Sequence, residues 1–262
     1  MSEEQKAQVR AQFGPSAAAY VTSAGHAAGP DLEQLLAWGR KRGAARVLDI
    51  ATGGGHTALA FSRFTRTVIA MDLTLPMLRA AREFATAQAG RPDAPPIRFV
   101  AADVEAVPFR SGTFGTVTCR IAAHHFPALL PALREVARVL RAGGSFLVQD
   151  ILGHDDEEAA AFITEVERRR DPSHVRAFRQ LEWTAFLRAA GLTVMDEAVM
   201  SRRRSWDDWA GRMRMTAEAR ADLERFVLAA PARCREAFDF AIEAGRVVSF
   251  SDRMLLLRAD RD

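Results

Sequence analysis

The sequence predicts an α/β protein with a doubly wound, mostly parallel sheet, and three observations predict it. First, short apolar runs at 46–50, 67–71, 97–101, 115–119 and 145–148 alternate with segments of helical periodicity. A strand buried on both faces shows such a continuous apolar run, and strand–helix alternation builds a parallel sheet with right-handed crossovers. Second, the first run, Val47-Leu48-Asp49-Ile50, leads straight into Ala51-Thr52-Gly53-Gly54-Gly55. Glycines there permit a tight turn and close backbone approach to a ligand, and the N–H groups of a following helix can meet a negative or polar group. Third, the next two runs are closed by acids, Asp72 and Asp103.

A chain of 262 residues with 48% apolar content suits one large domain, or one domain with an embedded subdomain. Its net charge of +3 comes from arginines interspersed with acids, a mildly basic surface rather than a nucleic-acid footprint. Cys119 and Cys234 are the only cysteines, which makes neither a disulfide framework nor a zinc site and fits a reducing compartment. No apolar segment follows Met1-Ser2-Glu3-Glu4-Gln5-Lys6, and no run approaches the roughly 18 residues of a bilayer span. A cytoplasmic protein without a membrane span is therefore expected.

Taken in order, residues 1–30 are polar and alanine-rich, with isolated Phe13 and Tyr20, and read as helical turns and loop lying on something else. Pro30-Asp31 opens a helix with Leu32, Leu35 and Leu36 on one face, stopped by Gly43. After the first strand and the glycine loop, a short helix is predicted over about 57–63. Thr74 is the candidate N-cap of the next helix, with Pro76 in its first turn and Gly90 at its end. Leu129, Leu133, Val136 and Leu140 have helical spacing over 128–140, and Gly143-Gly144 are expected to end that helix. Further on, Asp155 with Glu158 three residues later reads as a capping box. Residues 182–190 form an amphipathic helix stopped by Gly191, and 192–200 a strand. Residues 206–245 read as helical, and Met254-Leu255-Leu256-Leu257 as a final strand.

A dinucleotide fingerprint G-x-G-x-x-G would place Ala51, Gly53 and His56 in its frame, so the third glycine is absent. The acid at the end of the third strand, in Ala101-Ala102-Asp103-Val104-Glu105, instead suits one nucleoside lying across three strand ends. Asp49-Ile50-Ala51-Thr52-Gly53-Gly54-Gly55, Met71-Asp72, Ala102-Asp103-Val104-Glu105-Ala106-Val107-Pro108-Phe109 and Arg141-Ala142-Gly143-Gly144 together resemble the class I S-adenosylmethionine-dependent methyltransferases. The likeness is to the small-molecule branch that includes the ubiquinone/menaquinone C-methyltransferases, and it covers roughly residues 45–200.

The resemblance implies a Rossmann-like seven-stranded sheet of order 3-2-1-4-5-7-6 with strand seven antiparallel. It implies an N-terminal helical lid over 1–30, a methyltransferase domain over 31–262, and a helical cap over 206–248 inserted before the last strand. It also implies roles. The glycine loop packs on the methionine moiety and ribose, Asp72 binds the ribose hydroxyls, and Asp103 with the Val104 backbone contacts adenine. The cofactor-binding set becomes Tyr20, Asp49, Ala51, Thr52, Gly53, Gly54, Asp72, Leu73, Met77, Ala102, Asp103, Val104 and Arg120. One departure is Ala51, where the family usually has glycine. Phe13, Tyr20, His26 and Asp31-Leu32, then Arg120 to Phe126 and Arg170 to Arg176, resemble bacterial methyltransferase-like proteins near the ubiquinone branch.

His125 and His124 follow strand four, beside the expected position of a transferring methyl, and are the candidate catalytic residues, with His125 slightly preferred. Histidine titrates near neutrality and is the commonest general base, but methyl transfer is largely in-line positioning. A structural pair, with one ring buried and one exposed, is the competing reading. His174 is a second candidate base or a turn residue, and Tyr20 a ring on the cofactor edge or a pin for the N-terminal segment. Arg168-Arg169-Arg170 and Arg202-Arg203-Arg204 are flanked by acids and read as solvated faces. His154-Asp155-Asp156-Glu157-Glu158 reads as a helix cap rather than a metal site. Trp206, Trp209, Met213 and Met215 are either core or the lining of an acceptor pocket. The expected activity is methyl transfer from S-adenosylmethionine to a small aromatic, quinone-like or secondary-metabolite acceptor at C or O, releasing S-adenosylhomocysteine. No nucleic-acid partner is expected, and a homodimer is compatible. The alternatives are a non-catalytic S-adenosylmethionine-binding accessory protein and a nicotinamide oxidoreductase.

Overall fold

A computed structural model describes residues 3–21, 28–41, 46–88, 97–213 and 215–262. His26, Gly43 and Gly90 lie outside the described residues, as does the side chain of Tyr20. The chain opens with α1 (Glu3–Val21) and α2 (Pro30–Lys41), and then enters the alternation: β1 (Arg46–Ile50), α3 (His56–Ser62), β2 (Thr67–Asp72), α4 (Leu75–Gln88), β3 (Ile97–Ala101), β4 (Phe114–Arg120), α5 (Leu129–Val139) and β5 (Leu140–Ile151). It continues with α6 (Glu157–Arg170), α7 (Gln180–Ala189), β6 (Leu192–Ser205), α8 (Trp206–Gly211), α9 (Ala217–Ala229), α10 (Ala232–Glu236), β7 (Ala241–Glu243) and β8 (Arg246–Arg261).

The sheet runs β3-β2-β1-β4-β5-β8-β6, with β7 paired on β8. β1 to β5 are parallel, and β8 is antiparallel to both β5 and β6. This is the expected order with β8 in the antiparallel place and β7 as an extra strand. Four of the five β1 residues are buried because helices cover both sheet faces. On one face Leu133, Val136, Trp183 and Leu187 of α5 and α7 pack against the strands. On the other, Leu35, Trp38, Ala58 and Phe61 of α2 and α3 do so. A third cluster, with Phe162, Trp206, Trp209 and Phe250, lies under α6, α8 and α9.

Four expectations are corrected. Gly143-Gly144 does not end α5. The helix stops at Val139, and the glycines fall in the irregular start of β5, where the β4–β5 register shifts. A Cβ on Gly144 would come within 2.9 Å of the Arg141 carbonyl, so a side chain is excluded there by crowding. The cap of α6 is Asp156 rather than Asp155, its carboxylate accepting from Ala159 N–H at 2.8 Å. Residues 206–245 are not helical throughout: β7 interrupts them, and β8 begins at Arg246 instead of Met254. A cap boundary at 248 therefore falls inside β8, because Val247 and Phe250 turn inward under α9 while Ser249 pairs with Ser205. Finally, Arg202 and Arg204 extend β6 and face inward, both bonded to the buried Asp252. No described helix is long and apolar enough to cross a membrane.

Candidate active site

The carboxyl ends of β1, β2, β4 and β5 open into one cavity of about 1430 Å³, including space open to solvent. β1 lies between β2 and β4, the switch point where open α/β sheets bind ligands. Three of the first five residues after β1 have positive φ: Ala51 at 48°, Gly53 at 54° and Gly55 at 80°. A Cβ on Gly53 would point into open space at the cavity wall, and one on Gly55 would lie 3.1 Å from Ala81 Cβ. The first glycine leaves room for a ligand, and the second lets the loop pack on α4. Beneath the loop, Asp49 accepts from the Thr52 and Thr118 hydroxyls, both at 2.6 Å. Burial pushes its carboxyl up to about 6 against the pull of those two donors.

Asp72 faces the cavity from the end of β2. Its two oxygens accept from Gly53 N–H and Thr74 N–H, each at 2.9 Å, so the acid ties the glycine loop to the start of α4. Burial raises its pKa above the ordinary carboxylate value, opposed by these donors. Ala51, Thr52, Gly53, Gly54, Asp72, Leu73, Met77, Val104 and Arg120 all line the cavity. Asp49, Ala102 and Asp103 are not among its lining residues. Ala102 packs on the core. Asp103 forms an ion pair with Lys6 of α1 at 2.8 Å and accepts from Glu105 N–H at 2.9 Å. α1 thus lies along this edge, placing Val9 and Phe13 in the cavity wall. Arg120 donates to Gln149 at 2.8 Å and to Asp31 of α2 at 2.9 Å, fixing the cavity's rim.

A short 3-10 turn after β4, Ala123–His125, presents both histidines. Their environments differ. His124 Nδ1 lies 2.6 Å from Asp150 Oδ1, and its backbone N–H donates to Asp150 Oδ2 at 2.9 Å. With Nδ1–H donated to the carboxylate, Nε2 carries the lone pair. Burial works against the His124 cation, but the Asp150 charge and hydrogen bond outweigh it and raise the pKa. His125 Nδ1 faces the Ser173 carbonyl at 3.1 Å, and Phe13 meets its ring edge-on at 5.0 Å. Burial, and His124 at 4.1 Å between ring centroids, push His125 down to about 4. His174 joins them, 5.2 Å from His124, and burial lowers its pKa strongly. Both members of the pair are inside, which removes the reading of one buried and one exposed ring. Beyond them the cavity continues past Glu167, Arg170, Asp171, Arg204, Trp209 and Arg212.

The comparisons with known proteins agree with this architecture. A family model described as a methyltransferase domain matches residues 48–148. The uncharacterized methyltransferase YcgJ of Bacillus subtilis is 33% identical over 247 residues, 94% of this chain and 96% of its own length. The chain belongs to the class I methyltransferases. A solved structure from Bacillus halodurans C-125, described as a methyltransferase, superposes with a TM-score of 0.84 at 36% identity, covering 89% of this methyltransferase and 99% of that chain. The demethylmenaquinone methyltransferase of Thermus thermophilus is 37% identical over a shorter stretch, 39% of this chain and 46% of its own.

The sequence signals leave out three residues of the methyltransferase's site, two in the cavity wall and one behind it. Asp150 is the His124 partner and stands behind the cavity wall. The signal was available, since β4 and β5 are parallel neighbours and an acid closing β5 must sit beside the loop that follows β4. Arg170 and Arg204 depart from the solvated faces that their flanking acids predict. Both turn inward, Arg170 at the end of α6 stacked 4.5 Å over the Trp209 ring, and Arg204 on the inner side of β6. Trp209 itself both packs in the third cluster and lines the cavity.

Proposed function

We propose that this methyltransferase uses S-adenosylmethionine as donor and methylates a small-molecule acceptor at C or O. The observation that carries the reading is continuity. The Gly53 and Asp72 cradle and the His124–Asp150 pair open into one cavity, so a nucleoside at one end meets an acceptor at the other. The residues fit that cofactor. Gly53 leaves open space at the wall, and each Asp72 oxygen, engaged by one backbone N–H, keeps a lone pair for a ribose hydroxyl. Leu73, Met77 and Val104 supply apolar walls for a base.

The bound cofactor supplies a methyl group already activated on a sulfonium. What remains for the protein is to orient the acceptor, exclude water and, where the acceptor must lose a proton, hold that proton. His124 is the group for it. Its Nε2 accepts the proton, and the Asp150 carboxylate stabilises the resulting imidazolium, as a carboxylate does in a hydrolase triad. His125 and His174 stay neutral because burial disfavours their cations, so no competing positive charge arises beside the donor. The preference for His125 is thereby replaced by His124, with His125 and Phe13 shaping the wall.

The test is calorimetry with S-adenosylhomocysteine and with NAD. Binding of the first and not the second is expected, and the reverse overturns the cofactor assignment. Radiolabelled methyl transfer into a metabolite extract then separates an enzyme from a non-catalytic binding protein.

A further inference from the structure

The far end of the cavity holds more positive charge than methyl transfer to an apolar acceptor needs. Arg170, Arg204 and Arg212 line it, facing the carboxylates of Glu167 and Asp171. Asp252 lies behind Arg204 and is shared with Arg202, so it does not tip the balance. The guanidiniums of Arg170 and Arg204 are held from one side only. Arg170 gives Nε to the Trp209 carbonyl at 2.9 Å and Nη1 to Glu167 at 3.4 Å. Arg204 gives Nε to Asp252 at 2.7 Å. Among the described residues, Arg170 Nη2 and both Nη nitrogens of Arg204 make no hydrogen bond. Both side chains are only 12% exposed. Their positions are fixed by Trp209, Glu167 and Asp252, with donor-bearing ends left for the cavity.

We infer that the acceptor carries a carboxylate, seated between Arg170 and Arg204 at the cavity's far end, with its methylated atom toward His124. This rests on the proposed reading of the cavity as a methyltransferase site. Guanidinium groups present paired N–H donors that match a carboxylate, and such charge-assisted bonds are strong when desolvated. The excess of arginines over carboxylates among the lining residues is one charge, which suits a carboxylate better than a phosphate dianion. Trp209, itself buried against Trp206 and Phe250, stacks beneath Arg170 and holds that guanidinium in place. The acceptor expected from sequence, small and apolar or aromatic, thus gains a charged anchor.

The experiment is calorimetric titration of the full chain, both cofactor-free and saturated with S-adenosylhomocysteine. The probes are three matched pairs: acetate and acetamide, benzoate and benzamide, and 3-phenylpropionate and its amide, with phenyl phosphate as a further arm. At least one acid should bind tenfold or more tightly than its amide. That preference should vanish in Arg170→Gln or Arg204→Gln and survive in Arg203→Gln, whose side chain bonds Ser249 instead. S-adenosylhomocysteine affinity, measured on each variant, reports that the cradle is still folded. The inference is overturned if no pair is discriminated, if the preference persists in both inward variants, or if phenyl phosphate binds more tightly than benzoate. Failure of S-adenosylhomocysteine to bind strikes the cofactor reading alone, because acid–amide discrimination is also read on cofactor-free protein.

Discussion

Asp72→Ala separates a ligand-binding acid from a structural one. In the fold Asp72 has both functions open to it, since it caps the loop through Gly53 and Thr74 and also faces the cavity. The magnitudes differ in direction. A hydrogen bond to a charged group contributes about 1.5–3 kcal/mol, and ~1.4 kcal/mol is tenfold in affinity. Loss of the ribose contacts should therefore weaken S-adenosylhomocysteine binding on the order of ten- to a hundredfold. Stability should change far less. Burial raises the folded pKa of Asp72 above the ordinary carboxylate value, so the protonated form is the one folding favours. The stability it contributes is present below the unfolded pKa and lost as pH rises through the folded value, so ionised Asp72 costs stability at neutral pH. Deleting it relieves that cost while freeing two N–H groups, worth about 1 kcal/mol each, to cavity water. At about 2–4 °C per kcal/mol in a domain of this size, the melting temperature should stay within about 4 °C. Calorimetry and thermal melting on one preparation decide it. A variant that melts much lower yet binds S-adenosylhomocysteine normally would show that Asp72 is a loop cap and nothing more.

Other substitutions probe the same cavity. Ala51→Gly should raise the melting temperature by about 2–4 °C, because a left-handed φ of 48° costs a side-chain-bearing residue about 1–2 kcal/mol, partly offset by the looser unfolded chain; an unchanged or lower value refutes the strain. Gly53→Val places a branched side chain where the cofactor is proposed to lie, and should abolish S-adenosylhomocysteine binding in calorimetry. His124→Ala should lower turnover about 10²–10⁴-fold with cofactor affinity within a few-fold, and His125→Ala should do less; equal, near-normal rates with an identified acceptor mean that positioning alone suffices. Because the Asp150 pair raises the His124 pKa, the rate of the parent enzyme should rise with pH through a point above the ordinary histidine value. Asp150→Asn should move that limb to lower pH, since burial is then unopposed.

The half of the fold that makes the cradle was legible because its signals are local. β1 and β2 are buried on both sides, so each is a bare apolar run with a conspicuous end, and β3, half-buried at the sheet's edge, still keeps enough apolar residues to stand out. β6 and β8 were harder. Arg202, Arg203 and Arg204 alternate inward and outward, but three consecutive arginines hide a period of two. Ser249, Phe250 and Ser251 belong to a strand only because Ser205, Arg204 and Arg203 lie opposite, which no local window contains. The site divides in the same way. Gly53, Asp72 and Val104 lie at or just after strand ends and announce themselves, whereas Arg170 and Arg204 meet at the cavity from two elements distant in sequence, with Asp150 behind His124 on a third. Asp103 was rightly noticed as an acid at a strand end, yet a lysine in the first turns of α1 takes it up.

The place of β8 in the sheet sets an order in which the molecule can be made. Among the described residues β6 touches the sheet through β8 alone, and some forty residues separate the end of β6 from the start of β8. On a ribosome adding about 5–20 residues per second, β6 waits roughly 2–8 s for its neighbour after it has itself emerged. During that wait the cradle of β1, β2 and β3 has all its strands, while Arg204 has no Asp252 to hold it. The nucleoside end can therefore form before the arginine at the acceptor end is held in place.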